Sequence, residues 1–250
     1  MITIEEMEKA GLQYGHKDTR NHPKASYFTV KSNKTEVSLI NLEETKKALE
    51  KVLDFIKESV ISNKTILFVG TQTAVKQKIE EIAQKYDFPY VTIRWLGGTL
   101  TNFKTLSERI KYLKELEEKQ QSGAWNSFTK KERHNLSQEL MKLQKKFQGI
   151  RNMTKLPDVL FIIDPAVHST ALREAMRLKI PVISILDTDD DPTLVDYPIP
   201  ANDSAKSSLE YILNLIEEAI KEAKGEIKPE NEPIKEQEKE ESEEGQFSLN

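Results

Sequence analysis

Val159-Leu-Phe-Ile-Ile163 and Pro181-Val-Ile-Ser-Ile-Leu186 decide the architecture. Each is apolar at consecutive positions, where a strand with one face in water would alternate, so both read as strands covered on two sides. Between them Ala171, Leu172, Ala175 and Leu178 recur at helical spacing. The same order appears upstream: Thr65-Ile-Leu-Phe-Val-Gly70 ends in a turn residue, and Ala74, Val75, Ile79, Ile82, Ala83 and Tyr86 follow at helical spacing. Strands joined through helices lie parallel, with helices on both faces. Residues 36–42 and 90–93 supply two further strands. Helices over about 44–62 and 204–224 complete the layers, the second with a stripe of Leu209, Ile212, Ile216 and Ile220. The expected fold class is α/β, a doubly wound parallel sheet between helices.

One interval breaks the alternation. Residues 105–121 and 129–148 are two helical patterns in succession, with no strand between them. Thr105-Leu-Ser-Glu108 and Thr129-Lys-Lys-Glu132 both read as capping boxes, in which the hydroxyl and the glutamate each serve a free backbone amide. Leu106, Ile110, Leu113 and Leu116 match Leu136, Leu140, Leu143 and Phe147 as narrow stripes, each suited to one antiparallel partner. An inserted helical hairpin over 105–148 is therefore expected, on a core domain built from 1–104 and 149–225. Its tip holds Trp125 and Phe128, candidate anchors for a protein partner, with packing over the hairpin end as the plainer role of either.

Net charge conceals a basic core. The 250 residues carry 37 Lys+Arg, 41 Asp+Glu and a formal charge of -4. Residues 226–250 contribute nine Glu and three Lys, so removing their -6 leaves +2 on the remainder. That tail is almost free of apolar residues, cannot offset the entropy of ordering, and is expected to be disordered. Residues 94–155 hold fourteen Lys+Arg against six Glu, and residues 9–34 six against one Asp, so each is a candidate polyanion surface. Taken singly, either also reads as a solvated lysine-rich face. The absence of cysteine excludes disulfides, zinc-thiolate sites and thiol catalysis. The acidic, amphipathic start has neither the basic region of a secretion signal nor an Arg-rich bias, so a cytoplasmic location is expected.

Signs of catalysis are few. Gly70-Thr-Gln-Thr-Ala-Val-Lys76 matches neither glycine-rich phosphate loop. Asp187, Asp189, Asp190 and Asp191 follow a strand end, where α/β enzymes place catalytic groups, and Asp164 ends a neighbouring strand. A metal- or nucleotide-binding module using that cluster is the alternative reading. Against it, Asp187-Thr188 and Asp191-Pro192 are ordinary turn pairs, and Asp164-Pro165 reads as a helix N-cap with proline at the first helical position. His16, His22, His134 and His168 sit in separate segments without ligand spacing. No catalytic residue, metal ligand or cofactor is assigned. The loop Tyr14-Gly-His-Lys-Asp-Thr-Arg-Asn-His-Pro-Lys24 combines cations with amide and hydroxyl donors, a set suited to phosphates.

In order and spacing, several segments together resemble one family, the second protein of the small ribosomal subunit in its bacterial form. They are Ala10-Gly-Leu-Gln-Tyr-Gly-His16 with Asn21-His-Pro-Lys24, Phe68-Val-Gly-Thr71, Arg94-Trp-Leu-Gly-Gly-Thr-Leu-Thr-Asn102, Leu156-Pro-Asp158, Ile180-Pro-Val-Ile183, Asp187-Thr188 and Ile199-Pro-Ala-Asn-Asp203. The sequence departs from the family pattern at Gln13, Ala201 and Phe147-Gln-Gly149. The resemblance implies a five-stranded, flavodoxin-like parallel sheet with a protruding helical hairpin, and no catalysis. It also implies a place on the solvent side of the small subunit between head and body, contact with ribosomal RNA, and a part in docking the largest small-subunit protein, which captures messenger RNA. Neither a membrane nor a small-molecule substrate is expected.

The resemblance points to the first loop and to the segment from Arg94 through the hairpin as RNA contacts, and charge then selects the side chains. In the loop these are Lys17, Arg20, His22 and Lys24. Arg94, Lys104, Arg109, Lys111 and Lys114 follow along the tryptophan segment and first hairpin helix. Lys130, Lys131, Arg133, Lys142, Lys145, Lys146 and Arg151 lie along and just beyond the second. Side chains do not readily enter the deep groove of A-form RNA, so these would meet phosphates and 2′-hydroxyls.

Overall fold

The structure, a computed structural model, describes residues 2–30 and 36–226. Its centre is a parallel sheet of β4 (Ile66–Val69), β5 (Tyr90–Val91), β6 (Val159–Ile163), β7 (Val182–Leu186) and β8 (Tyr197–Pro200), ordered β5-β4-β6-β7-β8. Counted along the chain that is 2-1-3-4-5, the flavodoxin-like order. The register is continuous, with Phe68 opposite Phe161, Ile162 opposite Ser184 and Ile185 opposite Ile199. Every residue of β4, β6 and β7 is buried, as their unbroken apolar runs predict.

Alternate residues of these strands feed two cores. Ile66, Phe68, Phe161, Ile183 and Ile199 pack with α1 (Ile4–Ala10), α2 (Leu42–Ile61), α3 (Thr73–Tyr86) and α7 (Lys206–Glu226). Leu67, Val69, Leu160, Ile162 and Leu186 pack on the other side, against α4 (Phe103–Gln121), α5 (Lys130–Phe147) and α6 (Ser169–Leu178). The period of two along each strand thus divides the helices into layers.

Two strand assignments change. Residues 37–40 form β3 (Val37–Ile40), which leaves the parallel sheet and pairs antiparallel with β1 (Tyr14–Lys17) and β2 (Thr29–Val30) in a small separate sheet. The vacant fifth place goes to β8, Tyr-Pro-Ile-Pro, whose prolines disguise it as a turn. Proline lacks the N–H that an interior ladder needs, and β8 is an edge strand pairing with β7 alone.

The helical pair α4 and α5 follows the expected insertion, with Leu106, Ile110, Leu113, Leu116, Leu140 and Phe147 buried in its seam. Thr129 makes the expected capping box with Glu132. Thr105 does not: α4 begins two residues earlier at Phe103, placing Thr105 inside the helix. Trp125 is buried against the seam at 7% exposure while Phe128 stays 43% exposed, so only the second is available as an anchor. The acidic tail lies outside the described residues beyond Glu226. Among the described residues no helix is long and apolar enough to cross a membrane.

Candidate nucleic-acid interface

The segment Arg94–Asn102 leaves the edge strand β5 and enters α4, and a single buried side chain of α6 holds it in shape. Glu174, 7% exposed, accepts the indole N–H of Trp95 at 3.1 Å. It also accepts the backbone N–H groups of Gly98 at 2.8 Å, Leu100 at 2.9 Å and Thr101 at 3.1 Å, and the Thr101 hydroxyl at 3.2 Å. Gly98 reaches this position with φ of 90°, a left-handed conformation that favours glycine. Burial alone would raise the Glu174 pKa, but these donors together hold it below the ordinary range. Trp95 is thereby pinned inward while Arg94 points to solvent at the root of the helical pair. No motif search finds Glu174. The available signal is its place on the apolar face of α6, one turn from Ala171, where a lone carboxylate requires donors.

Along the helical pair the predicted cations are displayed outward. Lys104, Arg109, Lys111, Lys130, Lys131 and Arg133 are exposed, and Lys114 is half-buried. Lys142, Lys145 and Lys146 are exposed on the last turns of α5. Arg151 is bound to Glu117 at 3.0 Å, and Glu117 also accepts from Gln144 at 2.8 Å, which fastens the two helices at their base. Among the described residues, none of the other predicted cations of the pair forms an ion pair.

The first loop is arranged differently, because it folds onto the aspartates that follow β7. Lys24 meets Asp191 at 2.8 Å and Thr193 at 2.9 Å, and His22 lies 4.0 Å from Asp191. Arg20 lies 3.5 Å from Asp189, and His16 Nδ1 lies 3.0 Å from Asp187. Backbone contacts seal the fit: Thr188 accepts the His22 N–H at 2.8 Å and the His16 N–H at 3.0 Å. Lys24, then Thr193, holds Asp191 well below the usual carboxylate range. The two suggestive signals of the sequence, a phosphate-like loop and a metal-like cluster, largely satisfy each other. Lys17 is exposed and outside this network.

A different trio converges beneath it. Carboxylate oxygens of Asp164, Asp190 and Asp203 lie within 4.8 Å of one another. Burial first, and the neighbouring carboxylates second, push Asp190 up to about 8 and Asp203 up to about 7. Shared protons or one divalent cation would each relieve such a trio. Asp164 does not cap α6 as expected. It takes φ of 61°, its carboxylate accepts the Val167 N–H at 2.9 Å, and it closes a turn ahead of the helix, which starts at Ser169. The histidines do not converge: His134 is exposed on α5, and His168 is buried with its pKa lowered by desolvation.

Comparison with known proteins accounts for this combination. The family model described as ribosomal protein S2 matches residues 7–223. The chain is 43% identical over 218 residues to the small ribosomal subunit protein uS2 of Bifidobacterium animalis subsp. lactis, covering 87% of this chain and 72% of that one. It is 42% identical to the protein of the same name in Dictyoglomus thermophilum, over 87% and 88% of the two chains. Its counterpart in Thermus thermophilus is 42% identical over 85% and 83%. Similarity of that extent takes in the sheet, the tryptophan loop and the helical pair alike, and the chain belongs to the ribosomal protein S2 family.

Proposed function

We propose that the chain braces ribosomal RNA with the unpaired cations of its helical pair, from a place on the solvent side of the small subunit between head and body. Membership of the family makes it a structural protein of the small ribosomal subunit, ribosome-bound and not an enzyme. The finer reading rests on one observation: ten of the predicted cations, from Lys104 to Lys146, stand on α4 and α5 without carboxylate partners among the described residues. A rigid sheet anchors the root of the pair, so its charges are presented at fixed spacing to sugar-phosphate backbone. Arg94 extends the same face. The first loop contributes less, since Arg20, His22 and Lys24 already face Asp189 and Asp191, and Lys17 alone of its four cations forms no ion pair among the described residues. Phe128, exposed at the tip, is the apolar contact offered to a neighbouring protein, the largest small-subunit protein among them.

Because the attraction is distributed, single Lys→Ala changes cost little and several reversals are needed. The test is incorporation of a tagged Lys130→Glu, Lys131→Glu, Lys145→Glu chain, followed by sedimentation of small subunits at moderate salt. The triple variant is expected to stay at the top of the gradient. Normal incorporation with normal salt resistance would overturn the reading.

A further inference from the structure

From the carboxyl end of α7 a chain of shallow depressions runs along the edge of the sheet to the base of α5. Lys224, two residues before the helix ends, donates to the Tyr86 carbonyl at 2.6 Å and lies 5.2 Å from the Phe88 ring centre. Lys64, Thr65, Asp87 and Phe88 surround that point. Thr65, Asp87 and Phe88 also border the next depression, which continues through Tyr90 and Gly149 toward Arg151 and Lys155. Tyr90 and Gly149 in turn border a third, floored by Val91, Ile93 and Leu96 and rimmed by Arg94, Lys142, Lys145 and Lys146. Glu80 and Asp87 are the acids that line this path. Glu117 and Asp158 already engage Arg151 and Lys155. Among the described residues, Lys64 and Lys224 at the near end and Arg94, Lys142, Lys145 and Lys146 at the far end form no ion pair, so most of the unpaired positive charge lies at the far end, beside a partly apolar floor.

The chain supplies a matching polyanion of its own. Residues 227–250 carry eight Glu and three Lys, a net -5, with six of those Glu between 236 and 244. Ten to eighteen residues separate that acidic run from Glu226, enough to span roughly 30 to 60 Å when extended at about 3.3 Å per residue. A tethered segment also meets a nearby surface at an effective concentration of about a millimolar, which makes weak charge pairing sufficient. Here the tether follows Glu226, two residues beyond Lys224, where the path begins.

We infer that in the unassembled protein the acidic segment 236–244 folds back along this path and occupies the Arg94, Lys142, Lys145 and Lys146 rim, as an internal competitor that RNA displaces. The competition rests on the reading of this rim as an RNA face, whereas the docking itself does not. Such a competitor disfavours weak, non-specific polyanions, which cannot repay its displacement, and leaves a surface that binds over many contacts almost unaffected.

The chain has no cysteine, so Ser242→Cys in the full-length protein accepts a single spin label. Amide resonances of residues 90–96 and 142–149 are expected to broaden at 50 mM salt, to recover at 500 mM, and to stay sharp in a Lys142→Glu, Lys145→Glu, Lys146→Glu variant. Broadening that is absent, uniform over the surface or indifferent to that variant would overturn the inference. Separately, removing residues 227–250 is expected to tighten binding of a non-specific probe, poly(A), by about 3- to 10-fold at low salt. Unchanged poly(A) binding alongside local broadening would overturn the competition while leaving docking in place. Should the broadening fail while the triple variant still loses RNA in both full and truncated chains, the RNA reading survives and this inference does not.

Discussion

Glu174 accepts the indole N–H of Trp95 at 3.1 Å, and through that bond a helix on one side of the sheet sets the shape of the loop feeding the basic helical pair. The same carboxylate holds three backbone N–H groups of that loop. Replacing Glu174 with Ala leaves these donors buried without an acceptor, which costs about 3 kcal/mol or more. Urea unfolding is expected to show that loss, together with a red-shifted tryptophan emission as Trp95 gains water. The Gln variant keeps one acceptor oxygen and loses the charge, so it falls between. Because the Glu174 pKa is lowered on folding, its contribution is present above the ordinary glutamate value and disappears as pH falls through the folded value. The stability difference between wild type and Glu174→Gln is therefore expected to shrink as pH falls below the ordinary glutamate value.

The buried trio gives the opposite sign. Asp190 is raised to about 8, so the native state holds a proton that the unfolded chain releases near the ordinary aspartate value. Stability from this group is full at low pH and is lost as pH rises toward 8. Asp190→Asn mimics the protonated form and keeps an oxygen to accept the Asp187 N–H. Its melting temperature is expected to exceed that of wild type by about 2 °C or more at pH 8, and to match it only near the ordinary aspartate value, about pH 3.9. An equal difference at both pH values would show that Asp190 does not titrate as described.

Much of this fold is written in local pattern. The strands at Ile66, Val159 and Val182 are visible because burial on both faces removes the polar alternation, and the helical pair because its stripes are narrow. Tyr197–Pro200 was illegible since its pairing depends on lying at an edge, which is a property of the assembled sheet. Val37–Ile40 has strand composition, but whether it joins the large sheet or a small one is fixed by the return of residues 14–17. On α4 and α5 the cations fall outside the apolar stripes, and the structure leaves them exposed or, at Lys114, half-buried. Charge could not reveal that Lys24 and Asp191, 167 residues apart, would neutralise each other.

Gly149 sits where the chain leaves α5 and crosses the edge strand. A Cβ there would collide with the Tyr90 carbonyl and come within 2.6 Å of its ring. Since the obstacle is backbone, Gly149→Ala must push the base of the helical pair away from β5, at about 1–3 kcal/mol. Reduced thermal stability is expected, with chemical-shift changes centred on Tyr90 and Arg151. A variant as stable as wild type, with those shifts unmoved, would mean the crossing is looser than the geometry requires.

The tip of the helical pair separates packing from display. Trp125 contributes to the seam, so Trp125→Ala is expected to lower stability by about 3 kcal/mol. Phe128→Ser removes an exposed ring and is expected to change stability by less than about 0.5 kcal/mol. If Phe128 is the contact offered to a neighbouring protein, its substitution leaves folding and RNA affinity intact and weakens only that association, which pull-down from purified subunits measures.

Salt dependence distinguishes a cation that meets phosphate from one already spent inside the protein. Each phosphate contact releases counterions and adds about 0.7 to 0.9 to the slope of log affinity against log salt. Lys145 has no ion-pair partner among the described residues, so Lys145→Ala is expected to reduce that slope by close to one contact's worth on a small-subunit RNA transcript. Lys24 is bound to Asp191 and Thr193, and removing it alone would expose a carboxylate that repels RNA. The informative variant is therefore Lys24→Ala with Asp191→Asn, which deletes the pair and leaves net charge unchanged. Its slope is expected to equal that of wild type. A loss there as large as at Lys145 would place Lys24 on phosphate in the complex, with the Asp191 contact broken on binding.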